Sequence, residues 1–175
     1  MHLKGNLLLL SALLYLCSAP SQAQLSVAKN YLDNPQLVGE ARLKVMLWKV
    51  FDASLYSQSG TYDPDAPFSL SLRYLRQLDS DQIVSASMDE IRDQGISVEP
   101  ERLASWENQL ASIIPDVSTG NSITGVRTSE GHTRFYFDTN QIGEISDPLF
   151  TQAFFNIWLG ENTSKPGLRR NLIGS

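Results

Sequence analysis

The stretch that decides the fold is RLKVMLWKVFDASLY, residues 42–56. Its long apolar runs with partial alternation are typical of β-strands, in which side chains alternate between two faces. One face carries Ala41, Leu43, Val45 and Leu47, and the other carries Arg42, Lys44, Met46 and Trp48. The cations therefore either face water or hold a negatively charged ligand in a pocket, and the function depends on which interpretation is right.

The segments that follow predict both strands and helices. Alternating strand patterns occur at FSLSLRYLRQ (68–77), SITGVRT (122–128), TRFYFDT (133–139) and QIGEI (141–145). Helical spacing follows Ser80 and Pro100, a third helix has Asp147 as its N-cap, and a short last helix starts at Ser164. The order β-β-β, α-α, β-β-β, α-α predicts the α+β class, with helices packed on an antiparallel sheet.

The N-terminal segment, residues 1–23, has the pattern of a secretory signal peptide. The apolar run LLLLSALLYLCSA follows a basic start and precedes the small residues Ser21 and Ala23. We expect cleavage after Ala23, a single domain over residues 24–175, and a periplasmic or secreted protein. Since the run falls short of the roughly 18 residues that a span needs, we expect no stable membrane span after cleavage; a retained anchor helix is the alternative.

Composition excludes several classes of function. Cys17, inside the predicted signal peptide, is the only cysteine, and His132 is the only histidine after it. This excludes a disulfide framework, a thiolate nucleophile and a histidine-rich zinc site, and we expect no metal and no cofactor. The net charge of −5 with no run of Lys or Arg gives no basic footprint for nucleic acid.

Four segments, in the same order, resemble the chalcone isomerase-like family, in particular its exported bacterial members. They are KVFDASLY (49–56), PFSLSLRYLRQLDSDQI (67–83), RFYFDTNQIGEISDPLF (134–150) and AFFNIWLGENTSKPGLRRNLIG (153–174). The resemblance extends from about Leu37 to Gly174. It implies an open-faced β-sandwich, a long antiparallel sheet packed by helices on one side, with a ligand cleft between sheet and helices.

The family resemblance also implies site residues. It has a catalytic branch, which cyclises chalcones, and a fatty-acid-binding branch without that catalysis. Matching the segments puts Arg42 at the family's Arg, Phe51 at a Thr, Ile83 at the catalytic Tyr, Glu90 near an Asn, and Asn156 or Ile157 near a Ser or Thr. Because Phe51 and Ile83 lack the hydroxyl groups that stabilise a developing enolate, the resemblance implies binding without catalysis.

We therefore expect an exported binding protein for a small apolar ligand with an acidic head, such as a fatty acid. The expected binding residues are Arg42, Phe51, Tyr74, Ile83 and Asn156, with the Arg42 guanidinium on the ligand carboxylate.

Two alternatives stay open. The first is an intramolecular lyase or isomerase acting on a chalcone-like or other conjugated substrate, with Glu90, Tyr74 or Tyr136 as a replacement acid or base. The second is a structural or partner-binding domain whose cleft is filled by Phe51, Trp48 and Trp158. The sequence identifies no protein partner.

Overall fold

The computed structural model describes residues 22–174. The helices are α1 (Gln22–Lys29), α2 (Ser80–Asp93), α3 (Pro100–Ile113), α4 (Pro148–Leu159) and α5 (Pro166–Ile173). The strands are β1 (Gln36–Val45), β2 (Trp48–Ser57), β3 (Phe68–Tyr74), β4 (Ser122–Arg127), β5 (Thr133–Phe137) and β6 (Asn140–Ile145). The predicted signal peptide lies outside the described residues except for its last two positions, and Cys17 lies outside them too. Within the described range, none of the helices has both the length and the apolar content to cross a bilayer.

The six strands form one antiparallel sheet in the order β1-β2-β3-β4-β5-β6, so each strand pairs with its neighbours along the chain. The β1–β2 hairpin turns at Met46 and Leu47, whereas β3 and β4 are joined through α2 and α3. The predicted α+β class and the antiparallel sheet are confirmed.

The main core lies between the sheet and helices α2 to α5. Phe135 of β5 packs edge-on against Phe154 of α4, with ring centroids 5.2 Å apart. Phe150 stacks against Phe154 at 5.4 Å, so α4 presents aromatic rings along the centre of the sheet. The apolar residues of α4 surround most of its circumference because this helix is buried on several sides, as its sequence predicts.

Asp147 ties α3 to the start of α4. Its carboxylate accepts a hydrogen bond from the backbone N–H of Leu149 (3.0 Å), which satisfies a donor at the exposed end of the helix. The same carboxylate accepts from the guanidinium of Arg102 at 2.7 and 2.9 Å and from the Trp106 indole at 2.8 Å. One side chain thus serves as the predicted N-cap and as the link between two helices.

Helix α1, which the sequence did not predict, packs on the opposite face of the sheet. Val27 contacts Val126 and Tyr136, and the neighbouring cluster of Ala28 and Leu32 packs against Tyr56. The cleavage site predicted after Ala23 falls in the first turn of this helix.

A β-bulge shapes the β1–β2 pair near its turn. Leu43 pairs with Phe51, but Lys44 pairs with Lys49, so Val50 is an extra residue on β2. As a result Val50 and Phe51 both line the helix-covered side of the sheet, next to Leu43. Lys49 takes the opposite face with Lys44.

Candidate functional site

A cavity of about 330 Å³ lies between the first three strands and helices α2 and α4. Its position matches the cleft that the family resemblance implies. The volume lies at the lower end of the range, about 300–1,000 Å³, that is usual for small-molecule sites.

The sheet side of the cavity is almost wholly apolar. It is formed by Leu43, Val45, Val50, Phe51, Leu72 and Tyr74. The rings of Phe51 and Tyr74 meet edge to face, with centroids 6.1 Å apart, and both side chains are buried. This contact fixes both rings as a rigid wall.

The helix side of the cavity is one face of α2. Its lining residues are Gln82, Ile83, Ala86, Ser87 and Glu90, a spacing that places them on one stripe of an α-helix. At 1.5 Å per residue the polar residues Gln82 and Glu90 lie about 12 Å apart, with Ile83 and Ala86 between them. Ile157 and Trp158 of α4 complete this side.

The rim of the cavity carries one ion pair. The ammonium of Lys165, at the N-cap of α5, donates to the Glu90 carboxylate and to the Ser164 hydroxyl (2.8 Å). Ser164 also donates to Glu90, at 2.8 Å. Burial opposes ionisation of the Glu90 carboxyl, but the hydrogen bonds from Lys165 and Ser164 outweigh it, so the pKa of Glu90 lies below its usual value. A Lys ammonium has three donor hydrogens, and these two contacts leave one for a ligand.

Tyr74 adds a neutral donor. Burial raises the pKa of Tyr74 well above its usual value, so the phenol stays protonated at neutral pH. Tyr74 is one of the residues that line the cavity. A ligand in the cavity could therefore accept from it.

Three of the five predicted binding residues, Phe51, Tyr74 and Ile83, line this one cavity. Asn156 does not: it lies on α4 next to Ile157, but it lines a second, separate hollow. Ile157, which the family alignment left as the alternative to Asn156, is the residue of that pair that reaches the cavity.

Arg42 does not reach the cavity. Its neighbours along the strand, Ala41 and Leu43, belong to the helix-covered core, so Arg42 faces the other side of the sheet. There its guanidinium donates to the Asp52 carboxylate, at 2.8 Å through Nη2, and 41% of its side chain is exposed. Arg42 therefore lies outside this cavity, and Lys165 is the cation among its lining residues.

The sequence signals for Lys165 and Glu90 are weak. Glu90 belongs to a row of acidic residues on α2 that is expected to face solvent, and Lys165 lies 75 positions further along the chain. Only the folded arrangement of α2 against α5 brings these two side chains together.

The second hollow, of about 400 Å³, lies where the β2–β3 loop meets α4. Its lining includes Asp65, Arg127, Gln152 and Asn156 beside Tyr62 and Phe68. Burial raises the pKa of Tyr62 to about 12, although Arg169 and Arg127 oppose this shift. Polar side chains make up a larger share of this lining than of the first cavity's, so this hollow suits an apolar chain less well.

The residues named for the two alternatives are scattered. Tyr136 lies under α1, on the far face of the sheet, and Trp48 is 68% exposed at the β1–β2 turn. Phe51 and Trp158 line the cavity without filling it.

Comparison with known proteins agrees with this geometry. A family model described as "Chalcone isomerase-like" matches residues 20–174, which is nearly the whole chain. The chain belongs to the chalcone isomerase-like family. The resemblance predicted from the four sequence segments is therefore confirmed.

Among relatives, an uncharacterised protein of Haemophilus influenzae is 25% identical to this chalcone isomerase-like chain over 142 residues, or 79% of this chain and 68% of the relative. Among solved structures, the crystal structure of a fatty-acid binding protein of Arabidopsis thaliana superimposes with a TM-score of 0.63 and 13% identity. The match covers 81% of this chain and 87% of the plant protein. At that identity the likeness is one of fold, and it confirms the predicted open sheet packed by helices.

Proposed function

We propose that this chalcone isomerase-like protein binds a small apolar ligand with an acidic head, such as a fatty acid, and does not catalyse a reaction on it. The observation that carries the proposal is the apolar cavity of about 330 Å³ with Lys165 at its rim. The fatty-acid binding protein with the same fold supports it.

The cavity suits an acyl chain. Each methylene that leaves water for the wall formed by Phe51, Ile83 and Leu72 gains roughly 0.8 kcal/mol. Because the volume is small for a ligand site, we expect octanoate or decanoate to fit better than palmitate.

The head group belongs at Lys165. A carboxylate placed there accepts the remaining hydrogen of the ammonium, a charge-assisted bond. Glu90 repels this carboxylate, so the proposed site holds its ligand less tightly than an unpaired lysine would. The Tyr74 hydroxyl and the Gln82 side chain offer further contacts along the cavity.

The geometry favours binding over isomerisation. An acid–base catalyst works best with a pKa near the working pH, but the pKa of Glu90 is lowered and that of Tyr74 is raised. The third candidate, Tyr136, lies on the far face of the sheet.

Blocking the cavity tests the proposal. Ala86 lies at the mouth of the cavity on α2, whereas Ala104 lies on α3 away from it, and both are exposed. We expect Ala86→Phe to bind neither a fluorescent fatty acid nor decanoate, because the new ring occupies the entrance of the cavity. Ala104→Phe, the matched control, should bind as the wild type does. Equal binding by both variants, or turnover of chalcones well above the spontaneous rate, would contradict the proposal.

We further propose that the protein is exported after removal of residues 1–23. This rests on the signal-like sequence, which lies outside the described residues. N-terminal sequencing of protein from a periplasmic or culture fraction should begin near Gln24. Full-length protein confined to the cytoplasm would contradict export.

A further inference from the structure

The β1–β2 turn exposes a continuous apolar surface. Residues 22–174 contain six large apolar side chains that are exposed, and four of them are consecutive: Val45, Met46, Leu47 and Trp48, which we call the hairpin tip. Met46 is 90% exposed and Leu47 is 95% exposed. Scattered single apolar residues are ordinary on a protein surface, but a contiguous projecting group indicates a contact that the isolated chain does not make.

The backbone of the tip is also unfavourable for its sequence. Met46 has φ 55°, in the left-handed region where Gly or Asn is the usual residue of a tight hairpin turn. A bulky side chain there opposes folding. The chain therefore carries an apolar residue at a position where turn chemistry favours a small or polar one, which indicates a role outside the fold.

Cations surround the hairpin tip. Lys44 and Lys49 face each other across the strands, and Arg73 extends on the same face. Arg76 lies over the Trp48 ring, with its guanidinium carbon 5.8 Å from the ring centroid. We call these four residues the basic collar; none of them forms an ion pair with another residue between 22 and 174.

The basic collar differs in sign from the protein as a whole. Directly opposed like charges, as at Lys44 and Lys49, destabilise a strand pair. The chain has a net charge of −5, so an anionic surface repels the protein as a whole but attracts this end.

We propose that the hairpin tip inserts into the interfacial region of an anionic phospholipid bilayer while the basic collar contacts the lipid head groups. Membrane interfaces favour Trp at the level of the head groups, Lys and Arg beside it, and apolar residues such as Met and Leu inserted more deeply. Four residues are too few for a stable protein interface, which needs about 20–30 on each side. A lipid surface requires no shape complementarity.

The hairpin tip adjoins the mouth of the cavity. Val45 belongs to the tip and also lines the cavity, and Leu43 follows it inward. A protein bound to the bilayer through the hairpin tip would have its cavity next to the membrane. An acyl ligand could then pass directly between the bilayer and the cavity. The inference goes beyond the proposed function, because fatty-acid binding measured without vesicles does not require the tip.

The test is binding of the purified protein to phosphatidylcholine vesicles with and without phosphatidylglycerol, by co-sedimentation. The wild type should bind only the anionic vesicles, and added salt should weaken binding. Trp48 reports insertion directly, because Trp106 and Trp158 are buried: its fluorescence should shift to the blue and be quenched by brominated lipid.

Two variants separate the apolar and charged contributions. Met46→Gly/Leu47→Ser should lower the partition coefficient at least about tenfold. Since glycine suits the left-handed turn, this variant should melt no lower than the wild type. Lys44→Gln/Lys49→Gln should lower the partition coefficient on the order of tenfold at low salt. Ile96→Ser and Lys29→Gln, exposed changes away from the tip, serve as controls and should bind normally.

Three outcomes would overturn the proposal: no binding of the wild type to anionic vesicles, unchanged binding of the tip variant, or equal losses in the controls. Self-association of the wild type that the tip variant abolishes, without vesicle binding, would identify the tip as a protein contact instead. Loss of vesicle binding with decanoate binding intact would separate this proposal from the proposed function.

Discussion

Arg42 donates hydrogen bonds through Nε and Nη2 to both carboxylate oxygens of Asp52, its direct cross-strand partner, on the face of the sheet that turns away from the cavity. The pair is partly exposed, and such surface ion pairs contribute only about 0–1 kcal/mol to stability. The guanidinium that the family resemblance assigns to a ligand is therefore committed to the sheet surface.

The first prediction compares the two cations. Arg42→Ala should leave the affinity for decanoate unchanged, because its side chain lies on the wrong face. Lys165→Met should weaken affinity about tenfold or more, since it removes a charge-assisted hydrogen bond to the carboxylate. Displacement titrations of a fluorescent fatty acid measure both. Weaker binding by Arg42→Ala alone would show that Lys165 does not hold the head group.

The second prediction concerns Glu90. Glu90→Gln removes the carboxylate that competes with the ligand for Lys165, so the affinity for decanoate should rise severalfold. Decanol, which has no charge, should bind both proteins equally and serves as the control ligand. A fall in decanoate affinity would mean that Glu90 positions Lys165 more than it competes with the ligand.

The third prediction is a pH dependence at Asp147. Burial opposes ionisation of this carboxyl, but hydrogen bonds from Arg102 and Trp106 outweigh it and lower its pKa from 3.8 to about 2. Because folding lowers this pKa, the ionised carboxylate stabilises the folded protein at every pH above the unfolded pKa of 3.8. The stabilisation is lost as the pH falls from 3.8 towards 2. Asn can still cap α4 but carries no charge.

Asp147→Asn should therefore reduce the free energy of unfolding by about 1–3 kcal/mol at neutral pH. The difference from the wild type should shrink as the pH approaches 2, and urea denaturation over a pH series measures it. Asp89→Asn, an exposed change on α2, should cost little at any pH. A difference for Asp147→Asn that stays constant with pH would rule out the charge as its origin.

The fourth prediction concerns the contact of α5 with β1. A Cβ at Gly39 would lie 2.2 Å from the Asn171 carbonyl oxygen and 2.6 Å from that of Leu172, so Gly39→Ala must push α5 outward. We expect a loss of about 1–3 kcal/mol in stability, measured by urea denaturation. Gly167→Ala, on α5 itself, meets only the Arg170 guanidinium at 3.8 Å and should be neutral or stabilising. Equal effects of the two changes would contradict the close approach.

The fold could be predicted because its elements carry strong local signals. Asp147 and Pro148 mark the start of α4, and the alternation in β3 to β6 marks the strands. The sequence analysis assigns no helix to QAQLSVAK because this short stretch directly adjoins the signal-like segment. Its partners Val126 and Tyr136 lie about 100 positions away, so only tertiary packing reveals its role.

The candidate site could be predicted only in part. The period of two places Arg42 on the face opposite to that of Leu43, whereas the family alignment places Arg42 in the cleft. Phe51 and Ile83 are implied by the same alignment, which matches them to the family's Thr and catalytic Tyr. Lys165 and Glu90 could not be found this way, because their meeting depends on how α5 docks against α2.

The bulge at Val50 makes the number of residues in the β1–β2 hairpin as important as their identity. In a regular ladder from Phe51 onward, Val50 would turn outward and Lys49 would replace it in the wall of the cavity. One extra residue therefore places the Lys49 ammonium on the outer face of the sheet and not in the apolar cavity. A homologue with a single insertion or deletion here would have a charged side chain in the cavity lining in place of an apolar one, even if every other residue were identical.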